Sequence, residues 1–192
     1  MNQQLEIEYK NLLTEEEFLR LLAHFQIDEK DLVLQKNHYF DTPDFLLKEQ
    51  GCALRIREKG SSYELTLKEP AEEGLLETNE KIDEHLAKGA IEFNILPQGD
   101  VTQRIAEKNI EPSRLRYFGT LSTLRKEIPY KDGLLVFDKS SYFKKVDFEL
   151  EYEVKDPEKG KRVFFHLLNQ FGIPVRKTEN KIMRFYLEMP KK

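Results

Sequence analysis

The stretch QLEIEYKNLL, residues 3–12, alternates Leu5, Ile7 and Tyr9 with Glu6, Glu8 and Lys10. Side chains two apart on a strand share a face, so this segment reads as a strand with one apolar wall and one charged wall. The same pattern returns three times. Arg55 and Arg57 alternate with Leu54 and Ile56; Glu64, Thr66 and Lys68 with Tyr63, Leu65 and Leu67; and Glu149, Glu151 and Glu153 with Phe148, Leu150 and Tyr152. Any one of these is an ordinary solvated face of an amphipathic sheet. Together they segregate by sign, acidic rows at 6/8 and 149/151/153 against a basic row at 55/57. Carboxylates about 7 Å apart repel by about 0.6 kcal/mol in water and by about 2 kcal/mol at an effective dielectric of 20. A merely wet face would intersperse its charges.

Around these strands, TEEEFLRLLAHF (14–25) has Thr14 and Glu17 at capping-box spacing, then Phe18, Leu21, Leu22 and Phe25 on one helical face. Strands are expected at about 31–42, 52–59, 62–69 and 74–81, with KGSS (59–62) as a hairpin turn. Residues 82–110 read as one or two helices broken near Pro97-Gln98-Gly99. Further strands fall at about 115–128, 133–141 and 144–155, turning at YKDG and near Ser140-Ser141. DPEKGKRVFFHLLNQFG (156–172) is a helix capped by Asp156 and ended by Gly172, and a last strand is expected at about 182–189. Many strands and few helices favour a closed or strongly curved antiparallel sheet in one domain, residues 1–192.

The chain of 192 residues is 39% hydrophobic and 34% charged, with 13 Phe and 8 Tyr for a core. A net charge of −4 argues against general nucleic-acid or membrane-surface binding, so an anion site must be local. The single cysteine, Cys52, excludes an intrachain disulfide and multi-cysteine metal sites. The opening MNQQLE carries no basic stretch followed by an apolar run, and no apolar run nears the roughly 20 residues of a membrane span. A soluble, cytoplasmic protein is expected. If the helices cover apolar sheet faces, the charged faces look inward at one another. Such a barrel makes sense when Arg and Lys hold a polyanion and carboxylates hold divalent cations that also touch it. The residue chemistry reaches a metal-dependent polyphosphate site.

These segments resemble the CYTH superfamily, also called triphosphate tunnel metalloenzymes. EIEYK (6–10) is similar to its E-x-E-x-K signature, and HYFDTPDFLLKEQGCALRIRE (38–58) to its Y-F-D-T segment followed by R-x-R. YELTLKEP (63–70) resembles the next strand with its Lys. FDKSSYFKKVDFELEYEV (137–154) resembles the late Asp strand followed by E-x-E, and ENKIMRF (179–185) the closing Lys-x-x-Arg segment. In order and spacing this spans nearly the whole chain. The resemblance implies a mainly β (α+β) fold: an eight-stranded antiparallel closed barrel, a tunnel with helices outside, gripping a small-molecule triphosphate.

Carried over position by position, the resemblance implies Glu6, Glu8, Glu149, Glu151 and Asp138 for Mg²⁺ or Mn²⁺. It implies Lys10, Arg55, Arg57, Lys68, Arg125, Lys181 and Arg184 for phosphate. Glu77 and Glu64 would be further tunnel residues. Lys68 or Lys10, crowded by other cations, is a candidate for proton transfer, and the Tyr39 hydroxyl for positioning water. Each has a plain alternative: Arg125 pairing on the surface beside Lys126 and Glu127, Tyr39 packing in the core, Lys177 taking the place of Lys181, and Glu153 merely extending the acidic row. His38 and Cys52 read as structural. The activity implied is metal-dependent hydrolysis of tripolyphosphate, thiamine triphosphate or a nucleoside triphosphate. An adenylate cyclase of the same superfamily and a non-catalytic polyphosphate or nucleotide binder are the alternatives. Oligomeric state stays open, a homodimer included.

Overall fold

The computed structural model describes residues 2–189. Among them eight strands are hydrogen-bonded in the closed antiparallel order β1-β5-β4-β3-β2-β6-β7-β8. They are β1 (Asn2–Leu13), β2 (Val33–Asp41), β3 (Ala53–Lys59), β4 (Ser62–Pro70), β5 (Leu75–Ile82), β6 (Arg116–Tyr130), β7 (Gly133–Tyr142) and β8 (Lys145–Val154). Closure leaves no sheet edge to be protected. The helices are α1 (Glu15–His24), α2 (Leu46–Glu49), α3 (Glu84–Phe93), α4 (Asp100–Glu107), α5 (Pro157–Gln170) and α6 (Lys181–Glu188). The expected fold class is the observed one. No helix among the described residues is long and apolar enough to cross a membrane.

The residues divide into two compact units. One takes the start of the chain up to Glu6 together with Gln35–Leu121; the other takes Ile7–Leu34 and the chain from Ser122 onward. In the first unit, Leu54 and Ile56 of β3 and Leu65 and Leu67 of β4 pack with Ala87 and Ala90 of α3 and Val101 and Ile105 of α4. In the second, Leu135 and Phe137 of β7 and Phe148, Leu150 and Tyr152 of β8 pack with Phe18, Leu21 and Leu22 of α1 and Phe164, Leu167 and Leu168 of α5. Each unit thus covers the apolar face of its strands with helices. Period-2 alternation then forces the charged residues to the opposite face.

Local signals act where expected. Thr14 Oγ1 accepts from Glu17 N, and the Glu17 carboxylate accepts from Thr14 N at 2.7 Å, a closed capping box. Asp156 caps α5, and Gly172 follows it at φ +62, where a side chain would be strained.

Two expectations are corrected. The turn placed near Ser140-Ser141 lies beyond Tyr142, with Phe143 at φ 48; both serines belong to β7, and Ser140 pairs with Thr123 of β6 at 3.0 Å. The last strand, expected at about 182–189, is helix α6. Ile182, Phe185 and Tyr186 recur at helical spacing and are all buried, and the same spacing places Lys181 and Arg184 one turn apart. A strand would send residues three apart to opposite faces; a helix keeps them on one.

Candidate active site

In the first unit the charged face is built by register. Arg55 lies opposite Thr66 and Tyr39, Arg57 opposite Glu64 and Asn37, Lys68 opposite Glu77, and Glu64 opposite Lys81. Glu77 is the hub. Lys68 Nζ stands 2.6 Å from Glu77 Oε1, Arg55 Nη2 lies 3.8 Å from it, and Asn79 Nδ2 donates to Oε2 at 3.3 Å. Thr66 Oγ1 donates in turn to Asn79 Oδ1 at 2.7 Å. Burial works against the Glu77 carboxylate, but the Lys68 and Arg55 charges outweigh it and hold the group down at about 2. Lys68 also pairs with Glu6, and Arg57 Nε donates to Asn37 Oδ1 at 3.3 Å. Arg55 Nε is buried with no acceptor among the described residues. Tyr39 is buried on the Arg55 side of β2. Lys68 contacts the two carboxylates Glu6 and Glu77, and shares the latter with Arg55.

The second unit holds a deeper cluster. Arg125 of β6 faces Asp138 of β7, which faces Glu149 of β8; Lys10 of β1 faces Glu151, and Glu8 faces Glu153. Arg125 forks onto Asp138 with Nε at 2.7 Å and Nη2 at 2.5 Å, and Nη2 reaches Glu151 at 2.9 Å. It is 9% exposed, so the surface alternative is excluded. From α6, Lys181 Nζ sits 2.9 Å from Asp138 Oδ2 and 3.3 Å from Glu149 Oε2 and also contacts Glu151. Lys177, its rival in the sequence, is 91% exposed and pairs with Glu179. Arg184 contacts Glu149 and lies 3.1 Å from Asp147. Lys10 Nζ donates to Glu8 at 2.6 Å and to Asn180.

These charges divide the two neighbouring carboxylates. Burial raises both, but the Lys181 and Arg125 charges hold Glu151 well below the usual range. Burial pushes Glu149 up to about 7; Lys181 and Arg184 oppose the shift, and Glu151 adds to it. Glu149 is 1% exposed, and its Oε1 has no hydrogen-bond partner among the described residues.

A pH dependence of stability follows. Between about 4.5 and about 7, folded Glu149 keeps a proton that the unfolded chain has released, so its contribution to stability falls as pH rises through that window. Urea unfolding of metal-free protein is expected to show this decline, and Glu149→Gln to flatten it; equal slopes in both proteins would contradict the assignment.

Sequence reasoning placed Thr66 on the charged face without a role and did not single out Asn180, Asn79 or Asp147. All are polar residues with at least one partner on another element. Only the two-residue offset of Asn79 from Glu77, and of Asp147 from Glu149, hinted that they share those faces.

The sequence also matches known proteins. The CYTH domain profile fits residues 4–186. The chain belongs to the CYTH family. It is 46% identical over 191 residues to the Bacillus subtilis protein named "Putative triphosphatase YjbK", covering all of this chain and 99% of that one. A crystal structure from Bacillus halodurans, described as a "putative adenylate cyclase", is 45% identical with a TM-score of 0.93 over 97% of this chain and 100% of its own. The Hippeastrum protein HpAC1, described as a "putative adenylyl cyclase" that reveals a dominant triphosphatase activity, superposes with a TM-score of 0.75 over 95% of this chain and 96% of its own. At 23% identity it supports the shared fold alone. This CYTH chain therefore has relatives named for two chemistries that begin from a triphosphate.

Among the described residues no three His, Cys, Asp or Glu side chains converge as a ready metal cage. The carboxylates Asp138, Glu149 and Glu151 converge on the Lys181 ammonium instead. The donor set still suits a hard divalent ion. Mg²⁺ is usually held by one or two carboxylates completed by substrate phosphates, and Glu149 offers a buried oxygen without a partner.

Proposed function

We propose that this CYTH protein is a divalent-metal-dependent triphosphatase that binds a small-molecule triphosphate inside its charged barrel and releases phosphate. The observation that carries this reading is a complementary pair of buried orphans: a guanidinium donor, Arg55 Nε, and a carboxylate acceptor, Glu149 Oε1. Each costs about 1–3 kcal/mol when left unmade, and such groups persist where a ligand completes them. The first calls for an anion and the second for a cation, the two charges that a metal–triphosphate carries.

In this reading Arg55, Arg57 and Lys68, with Arg125, Lys181, Arg184 and Lys10, bind and orient phosphate oxygens. Arg forks match them in pairs, and Lys adds point charge. Glu149, Glu151 and Asp138, and Glu6 and Glu8, would hold Mg²⁺ or Mn²⁺. Bound there, the metal would supply charge neutralisation of the phosphates and activation of water. Asn79 and Thr66 fix Glu77, which in turn fixes Lys68 and Arg55. Glu64 stands between Arg57 and Lys81 and tunes the charge at that position. The Tyr39 hydroxyl, on the same face as Arg55, is assigned to positioning water. Phosphoryl transfer asks the protein mainly for positioning and charge neutralisation, so no covalent nucleophile is needed.

The second reading, adenylate cyclase, is favoured by the name of the Bacillus halodurans relative. Phosphate, pyrophosphate and cyclic AMP measured from tripolyphosphate, thiamine triphosphate and ATP, each with Mg²⁺, Mn²⁺ or chelator, separate the two. Metal-dependent phosphate release is expected, and the preferred substrate names the class. Cyclic AMP with pyrophosphate from ATP would establish the cyclase instead. Tight metal-dependent binding with no product would establish a binder.

A further inference from the structure

We infer that Asn11, Glu17 and Arg176 are positioning residues: they latch the segment 173–180 against the end of β1 and so set where Asn180, Lys181 and Arg184 enter the carboxylate cluster. The consequence for activity rests on the triphosphatase reading; the latch itself does not.

The segment between α5 and α6 has neither helix nor strand pairing, so its backbone polar groups need partners outside a regular ladder. Asn11 supplies two of them. It lies in the outward row Leu5, Ile7, Tyr9, Asn11, Leu13, where an apolar residue is the natural choice, yet it is fully buried. Its Nδ2 donates to Pro174 O at 3.1 Å and to Leu12 O at 2.9 Å, and its Oδ1 accepts from Arg176 N at 2.7 Å. Both ends of the amide are used, which is what makes a buried Asn tolerable there.

Arg176 closes the latch from the other side. Its Nη1 donates to Leu12 O at 2.9 Å and to Glu17 Oε2 at 2.8 Å, and its Nη2 to Glu17 Oε1 at 3.0 Å. Glu17 meanwhile completes the α1 capping box through Thr14 N. Leu12 N donates to Thr178 Oγ1 at 2.9 Å. The end of β1, the start of α1 and the strap are thereby tied at one place, and Leu12 lies opposite Glu149 in the β1–β8 register.

The strap ends at Asn180, the N-cap position of α6. Asn is among the best capping residues, yet Asn180 makes no side-chain cap bond; its Oδ1 accepts from Lys10 Nζ instead. A residue that gives up a cap for a site lysine, followed at once by Lys181, makes the strap part of the site's construction. Displacements of about 1 Å at such groups can lower rates by about 100-fold.

The test uses Asn11→Ala, Arg176→Ala and the rescue variant Arg176→Lys, read by two methods. In hydrogen exchange, amides of residues 173–188 are expected to exchange faster in both alanine variants, with strand amides of β7 and β8 unchanged. Unchanged exchange over 173–188, or a rise spread over the whole protein, would overturn the latch. In metal-dependent tripolyphosphate hydrolysis, kcat/KM is expected to fall about 10- to 100-fold, and Arg176→Lys to recover part of the loss. In a background lacking Lys181 and Asn180 as Ala variants, adding Arg176→Ala should cost less than about 2-fold, because neighbours acting through one another are not additive. Full additivity would overturn the positioning role. If the wild type releases no phosphate from any triphosphate, the triphosphatase reading fails, and hydrogen exchange alone decides the latch.

Discussion

Replacing Arg125 by methionine is expected to destabilise the protein by about 3–5 kcal/mol, the usual cost of breaking a buried charge pair from one side. Arg125 is buried and forks onto Asp138, which is fully buried, while its Nη2 also holds Glu151. Methionine has a similar length and leaves little void, so the loss is electrostatic and not a packing defect. Lys181 still touches both carboxylates, which keeps the expected effect toward the lower end. Urea unfolding measures it. Removing the opposite charge as well, in Arg125→Met with Asp138→Asn, should recover part of the loss. A single-variant loss under about 1 kcal/mol would show that the cluster does not need Arg125.

Glu6→Gln is expected to have the opposite profile, large in activity and small in stability. Glu6 pairs with Lys68, but Lys68 keeps Glu77 at 2.6 Å, so the substitution strands no charge. Glutamine fills the same volume and keeps an oxygen donor. What disappears is one negative charge toward a divalent ion, and with it at least about 100-fold of metal-stimulated rate, because metal stabilisation of the transferring phosphate amounts to several kcal/mol. Raising the Mg²⁺ concentration should restore part of the rate if the charge acts through metal affinity. Circular dichroism and the urea midpoint should stay close to wild type.

Much of the fold was legible because strand faces are a local property. Leu54/Ile56 against Arg55/Arg57, and Phe148/Leu150/Tyr152 against Glu149/Glu151/Glu153, read directly as two walls, and the helices cover the apolar ones. Thr14–Glu17 and Asp156–Gly172 announced their helices through caps. The misplaced turn has an equally local cause. A serine pair resembles a turn, whereas the left-handed residue is Phe143, a type that gives no such signal.

Helix α6 was missed because its eight residues are short and the Lys-x-x-Arg motif was read on an extended frame. The spacing of Ile182, Phe185 and Tyr186 carried the helical signal. What no local pattern could give is partnership across elements. Nothing in the sequence says that Lys181 meets Asp138, that Asn180 turns from its cap to Lys10, or that Asn11 spends its amide on Pro174 and Arg176. For the same reason nothing local says that Lys68 meets carboxylates brought by β1 and β5.

The most direct test of the central claim is phosphate release from tripolyphosphate by the wild-type protein with Mg²⁺ or Mn²⁺, then with excess chelator, beside Glu6→Gln under the same conditions. The account predicts release that the metal switches on, the chelator abolishes and Glu6→Gln reduces at least about 100-fold while remaining folded. Release that is indifferent to the metal, or undiminished in Glu6→Gln, would contradict it.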